Sequence, residues 1–545
     1  MRKILCLLFL FPTLLSAQKN LPLNREWGLK YEGKDSSVAK NIINKSNEER
    51  LSSFMPQIIK PFHKEKEKFY FTWNGVLKLI YRKIKKESLC IVNDTANKFY
   101  LTLDPLLNFE AGKDLADTSG EKLYKNTRGF LLRGSIGDKF AFESSFYENQ
   151  STFAQYIDNY IAGTNKLFPQ KANYNYDVVP GQGRSKAFKK NGYDYAMASG
   201  YISYSPIKIL NIQAGHGKHF VGDGYRSLLL SDNAFNYPYA RITTTYKNVQ
   251  YTNLYTSFMN LTDGGVQTPA HTERLFQKKA GSFQMLSLNF LHRIQLEFFQ
   301  GMIWEAADSN NRQHVEFNTF NPVIGVNALS YGMHHKNNVL LGATLKIKII
   351  NSISLYGQYM LDDIGSDINE KYGYQIGFKY FDLFTIKNLH FQAEYNTVRP
   401  YAYAAQNPQQ SYTHYNQALA HPLGANFSEA IGFINYKIKD FFVEVKINYA
   451  VKGADSSAFN FGGNVFKSDN TFPGTQVLSA IQTQGMKTTT MYQDIHFGYL
   501  VNPSANLNIV IGLTNRIEKT NKATNTTQFV YLGIRTSLAN FYYDF

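Results

Sequence analysis

The sequence predicts an all-β fold, a transmembrane antiparallel β-barrel of about 18 strands with a short helical N-terminal periplasmic segment. Three observations carry that prediction. Apolar and polar residues alternate strictly in segment after segment from residue 99 onward. The connections between those segments are alternately short and long. Aromatic residues make up 15% of the chain and charged ones only 18%, and no run beyond the first 17 residues has the length of a spanning helix.

Residues 1–17 read as a secretory signal. Arg2 and Lys3 precede the apolar run Ile4–Leu15, and Leu15-Ser16-Ala17 offers a small-residue cleavage site before Gln18. No cysteine follows that site, so a lipid anchor is not expected. Cys6 belongs to the signal, and Cys90 is then the only thiol left, which excludes an internal disulfide. Net charge is +16, or about +14 without Arg2 and Lys3. A basic exported chain without a nucleic-acid motif points to acidic glycans, or to lipid phosphates such as those of lipopolysaccharide, and not to nucleic acid.

Residues 18–98 form a separate N-terminal segment. Its alternation is poor, Lys64–Lys68 is a charge run, and Val76, Leu77, Ile80 and Ile84 have helical spacing among basic residues. Two placements fit that stripe: a helix packed at a barrel rim, or a helix lying on the membrane surface.

The barrel is expected over 99–545. Its strands fall near 99–110, 125–135, 139–148, 194–204, 208–216, 240–246, 249–261, 280–290, 294–304, 339–349, 353–361, 372–381, 389–398, 428–438, 441–451, 487–500, 507–515 and 528–538. Each is close to the ~9–11 residues a tilted membrane strand needs. Leu389, Phe391, Ala393 and Tyr395 oppose His390, Gln392, Glu394 and Asn396, so one face suits lipid and the other water. The even strand count puts both barrel ends on the short-turn, periplasmic side, with the long loops at the cell surface. Phe541, Tyr543 and Phe545 alternate to the last residue, as in the terminal signal that barrel-assembly machinery recognises.

The densest polar cluster is Gly215–Ser227, followed by Leu228–Ala234. It leaves a strand for a long outer loop. A phosphate loop is excluded, because no α/β unit surrounds Lys218. His216 and His219 lack the carboxylate or cysteine frame of a metal site, so neither metal nor cofactor is expected. Two readings remain: a glycine-rich loop folded back on the barrel mouth, or a glycan site in which Tyr225 stacks a sugar while Lys218, His219 and Arg226 bind its polar groups. The loop Val178–Asn191 adds Arg184, Lys186, Lys189 and Lys190, suited to drawing in acidic polysaccharide. Ser411–Asn426 is a further aromatic and polar loop. Lumen-facing Glu297, Lys346, Glu394, Glu444, Lys446, Asp494 and His496 mix signs and suit ion pairs that fill a barrel. No Gly-x-Ser-x-Gly elbow is present, so the chain is not expected to be an enzyme.

The Gly222-Asp223-Gly224-Tyr225-Arg226-Ser227 stretch and its continuation to Ala234, Asn321-Pro322, His421-Pro422-Leu423-Gly424, Asn108–Glu110 and Asn126–Gly129 occur in an order that resembles the Wzi-like capsule-assembly barrels. Within that group the chain looks most like the gliding-motility-associated RemB-type proteins of Bacteroidetes. The resemblance spans nearly the whole chain after the signal. Where the family carries Gly-Pro-Gly, this chain has Gly222-Asp223-Gly224. The resemblance implies a cell-surface protein that holds or organises polysaccharide or supports motility, with motility-apparatus proteins as partners. It also marks His219, Tyr225, Arg226 and Asn233 as ligand candidates. A diffusion porin and an outer-membrane hydrolase are the alternatives. A plug-type transporter is disfavoured, since no globular domain of ~100 residues precedes the strands.

Overall fold

The computed structural model describes residues 19–20, 23–25, 28–29, 54–55, 58–59, 80–166, 177–263, 276–291, 293–306, 320–331, 337–363, 371–455, 460–469, 482–536 and 539–545. The signal segment, the Lys64–Lys68 run, Val76 and Leu77 lie outside the described residues.

Eighteen antiparallel strands close into one barrel. They are β1 (Phe99–Asp114), β2 (Lys122–Ile136), β3 (Phe140–Thr152), β4 (Gly192–Ile207), β5 (Leu210–Gly217), β6 (Tyr237–Tyr246), β7 (Val249–Asp263), β8 (Phe276–Phe290) and β9 (Ile294–Glu305). The second half is β10 (Asn338–Ile350), β11 (Ile353–Asp363), β12 (Lys371–Tyr380), β13 (Leu389–Val398), β14 (Phe427–Ile438), β15 (Phe441–Ala454), β16 (Met486–Asn502), β17 (Leu507–Lys519) and β18 (Thr524–Arg535). Each pairs with its sequence neighbours, and β18 closes on β1 from Phe529↔Asp114 to Arg535↔Asn108. Below that seam β1 pairs with Cys90–Asp94, and Thr536 fills the gap by exchanging hydrogen bonds with Leu107.

Every strand expected from alternation is present, several of them longer, and the last one ends at Arg535 rather than residue 538. The sidedness follows from the pleat. On β17, Ile509, Ile511 and Leu513 are exposed on the outside, while Asn508 and Thr514 are buried inside. Tyr359 on β11 stands opposite Tyr374 on β12, whose ring lies diagonally 6.1 Å from that of Tyr395 on β13, and all three are exposed, a tyrosine row like those at a membrane–water interface. A barrel with its apolar side outward needs hydrocarbon around it, so this is an outer-membrane-type barrel.

Short turns such as 208–209, 247–248, 351–352 and 439–440 gather at one end, and the connections 153–191, 218–236, 399–426 and 455–485 at the other. Of the described N-terminal pieces, Phe54–Met55 pair with Phe220–Val221 of the 218–236 connection, Asn20 bonds to inward-facing Gln213 and Arg241, and residues 80–98 dock at the short-turn end. Residues 80–85 are helical, and carbonyls of Lys83, Lys86 and Glu87 accept hydrogen bonds from Asn502 and Ser504. The helix thus docks at the rim through its main chain, with Ile80 and Ile84 of the expected stripe exposed. Arg25 sits inside the barrel, 2.5 Å from Glu444 and over the Phe433 ring.

Two expectations need correction. The Gly215–Ala234 stretch is not an outer loop: after β5 it turns down into the lumen. Leu228, Leu229 and Leu230, fully buried, pack there on inward-facing Leu254, Phe258, Phe283, Phe299 and Leu340 of β7–β10. The 399–426 connection joins this plug through Tyr403, Tyr412 and Leu419. The lumen face of β7–β10 is therefore apolar in part, because a protein plug and not water covers it. Second, Phe541, Tyr543 and Phe545 do not extend a strand edge. Residues 539–545 run through the lumen, where Asp544 reaches Arg226 and Tyr542 bonds to Asp232.

Candidate binding chamber

The plug is placed by charge at its turn. The Tyr225 and Arg226 backbone N–H groups donate to Glu394 Oε2 and Oε1 of β13, at 2.7 and 3.1 Å. Gly224 must approach that carboxylate so closely that an added Cβ would collide with it. Arg226 is buried against Glu429 of β14 (Nη2 to Oε1, 3.0 Å) and against Asp544 (3.1 Å), while Lys446 of β15 lies 3.3 Å from the other Asp544 oxygen. His421 shares Glu429 at 2.7 Å. One carboxylate on the wall and one on the tail thus bracket a guanidinium on the plug. Burial alone would raise the Asp544 pKa, yet Arg226 and Lys446 hold it below the usual carboxylate range. Lys218 anchors the start of the plug through the carbonyls of Gly181 (2.6 Å) and Asp232 (3.1 Å). Burial brings its amine down to about 8, with Asp232 opposing.

The plug occupies the β7–β13 side of the lumen. On the other side, between the tail and the wall made by β15–β18 and β1–β3, a chamber of about 280 Å³ remains. Tyr492 and Tyr531 of the wall, Tyr225 of the plug, Tyr543 of the tail and Tyr156 give it an aromatic lining. Its polar side is a relay on three neighbouring strands. His496 Nδ1 is 3.0 Å from Asp494 Oδ1, Thr514 donates to Asp494 Oδ2 at 2.7 Å, and Arg535 lies 3.3 Å from His496 Nε2. Lys446 lies over the Tyr492 ring at 4.8 Å. Helix α1 (Gln155–Lys166), in the β3–β4 connection, contributes Tyr156 and Ile157 to the lining at the long-loop end.

The six candidate residues do not form one site. Tyr225 lines the chamber, and Arg226 stacks over its ring at 4.8 Å but is buried in the ion cluster behind it. His219 is buried between Tyr237 and Tyr239, and Asn233 donates to the Ala418 carbonyl at 3.0 Å. These two secure the plug. Arg184 packs on Phe276, and exposed Lys186 lies on a short strand, Lys186–Phe188, that pairs antiparallel with the start of β4. Glu394, Glu444, Lys446, Asp494 and His496 face inward, as their alternation requires. Tyr492, Tyr531, Asn508 and Arg535 escaped notice as ligand candidates. Their strand parity points them into the lumen, but the plug's one-sided filling of the barrel is what leaves them open space.

No protein-family model matches the chain, and no curated protein does. Among solved structures it is similar to Wzi, an outer membrane protein involved in group 1 capsule assembly in Escherichia coli and a carbohydrate-binding β-barrel. The identity is 12%, the TM-score 0.47, and the match covers 80% of this chain and 85% of that one. It is also similar to the outer membrane protein opdK of Pseudomonas aeruginosa, at 11% identity and TM-score 0.41, covering 80% and 98%. A BenF-like porin from Pseudomonas fluorescens matches at 10% identity and TM-score 0.40, covering 81% and 99%.

Proposed function

We propose that this barrel is a cell-surface protein that holds surface polysaccharide, seating a sugar unit in the tyrosine-lined chamber. The observation that carries the reading is the pairing of a tyrosine lining with the Asp494–His496–Arg535 relay in the open half of a plugged lumen. Aromatic faces suit the C–H faces of a sugar, and a carboxylate, an imidazole and a guanidinium suit its hydroxyls and any acidic substituent. At about 280 Å³ the space is at the small end of ligand pockets, suited to a sugar unit and not to an extended chain. The same class of role is implied by the resemblance to capsule-assembly barrels, and support of gliding motility by the likeness to RemB-type proteins. In this reading the short-turn end faces the periplasm and the long loops face outward.

A diffusion porin is the second reading. Its support is that the chamber runs along the wall, from Arg25 near the short-turn end to Phe153 and Ile157 near the long-loop end. Two measurements on one pair of proteins separate the readings. The pair is the native chain and a Tyr492→Ala/Tyr531→Ala variant, each shown to be a folded barrel by heat-modifiable gel mobility. Retention of cell-surface polysaccharide should fall at least about tenfold in the variant, equivalent to about 1.4 kcal/mol. Unchanged retention overturns the glycan reading. Steady single-channel conductance by the native chain in a planar bilayer would establish the porin instead.

A further inference from the structure

The connection between β9 and β10 takes a different course from those that form the plug. Its described part, residues 320–331 with the short helix α2 (Val326–Tyr331), lies on the outer surface of the wall. Strand parity fixes this placement. Leu254, Phe258, Phe283, Phe299, Ile303 and Leu340 pack on the plug inside the barrel. Met302, Trp304 and Val339 alternate with those residues and form a separate cluster outside, joined by Ala328 of α2. Phe320 meets the rings of Tyr255 and Trp304 on the same side.

The wall beneath is polar where a lipid-facing wall should be greasy. Asn253, Gln284 and Gln300 stand opposite one another on β7, β8 and β9, point outward, and are buried. Gln284 and Gln300 of this row, with Tyr251 and Tyr255 on the same face, serve the main chain of the segment. Tyr255 Oη donates to the Phe320 carbonyl (3.0 Å) and Gln284 Nε2 to that of Asn321 (3.3 Å). Tyr251 Oη donates to the Pro322 carbonyl and accepts from Ile324 N (3.0 Å). Gly325 N donates to Gln300 Oε1 (2.9 Å), and Val323 N to Asn321 Oδ1 (3.0 Å). Irregular backbone persists at bilayer depth only when protein satisfies it in this way.

The Asn321–Ile324 part lies at bilayer depth. Tyr251 is two residues from Val249, the short-turn end of β7, and Gln284 six from that of β8. On strands tilted about 40°, a rise of about 2.5 Å per residue puts them ~5 and ~15 Å from that end, inside the ~25 Å apolar band. Residues 320–331 carry no charge. Their outer side exposes Leu329 and Val323, as the outward face of the wall exposes Phe298, Val249 and Leu345. We infer that residues 320–331 are a membrane-embedded strap: its backbone is held by the outward polar row of the wall, and its outer face is a docking surface for lipid acyl chains.

The test uses the full chain with its native cysteines replaced by serine, folded into phosphatidylcholine vesicles. Single cysteines replace Leu329, Val323 and, as a loop-tip control, Asn525. A membrane-impermeant maleimide should label positions 329 and 323 at least about tenfold more slowly than 525, since hydrocarbon excludes it. A nitroxide at 329 should collide more with oxygen than with a water-soluble nickel chelate. Labelling of 329 at the rate of 525 overturns the inference. Protection in whole cells with ready labelling in vesicles also overturns it, because the occupant would then be a protein. If Tyr251→Phe/Gln300→Leu leaves the barrel folded but frees the nitroxide, the polar row is what holds the strap. An unchanged spectrum in that variant refutes the anchoring role.

Discussion

Arg226 illustrates how burial changes what a residue can do. A guanidinium on a glycine-rich turn reads as a ligand group, yet here it is sealed against Glu429 and Asp544 with none of its side chain in solvent. Removing one partner of a buried ion cluster leaves the others charged and unpaired, at a cost of about 3–5 kcal/mol. Arg226→Ala should therefore loosen the plug and not merely remove a contact. Amide exchange across 219–236 should accelerate while the wall strands stay protected, and the thermal midpoint should drop. Arg226→Met combined with Glu429→Gln, which removes both charges, should recover a good part of that loss. A single variant with native exchange in 219–236 would mean that the cluster does not hold the plug. Nothing in the sequence distinguished this Arg from a surface one. The residues that seal it, Glu429 and Asp544, lie 203 and 318 positions away.

Among the elements, α1 has a built-in pH response. Asp158, in its first turn, has its carboxyl pushed up to about 7 by burial and by the nearby charge of Glu121, with Tyr193 opposing. An acid raised in the folded state favours folding when protonated. The helix packing is thus firmest below the ordinary pKa of 3.8, weakens as pH climbs toward 7, and levels off above it. Proteolytic nicking in the 153–191 connection should increase between pH 5 and pH 8, and Asp158→Asn should flatten that dependence. Equal nicking at both pH values in the native chain would remove Asp158 from this role. The strands themselves were legible because period-2 alternation is local. Ile509, Ile511 and Leu513 need only their own neighbours to declare a face. Plug, tail and strap were not legible, because each is a segment without period whose place is decided by distant surface. Leu228–Leu230 found an apolar lumen wall, Tyr542 found Asp232, and Pro322 found Tyr251.

For the molecule as a whole, solvent is what decides the arrangement. The barrel is inverted relative to a water-soluble one, with apolar side chains exposed around the outside and charge sequestered within. That arrangement is stable only if the outer face meets hydrocarbon, and a charge placed there measures whether it does. Ile511 on β17 pairs with Leu532 on β18, and both are among the most exposed apolar residues of the wall, four residues above the short-turn end of β17. Ile511→Lys should cost about 2–4 kcal/mol when folding is measured into vesicles by urea titration, since an ammonium has no counterpart in the bilayer interior. Asn525→Lys, at the exposed long-loop end of the same hairpin, should cost less than about 1 kcal/mol. The difference should shrink in micelles of a short-chain detergent, where water reaches the wall more easily. If Ile511→Lys folds as well as Asn525→Lys in a bilayer, then lipid does not wet this face, and the chamber, the plug and the strap would all need a different surrounding.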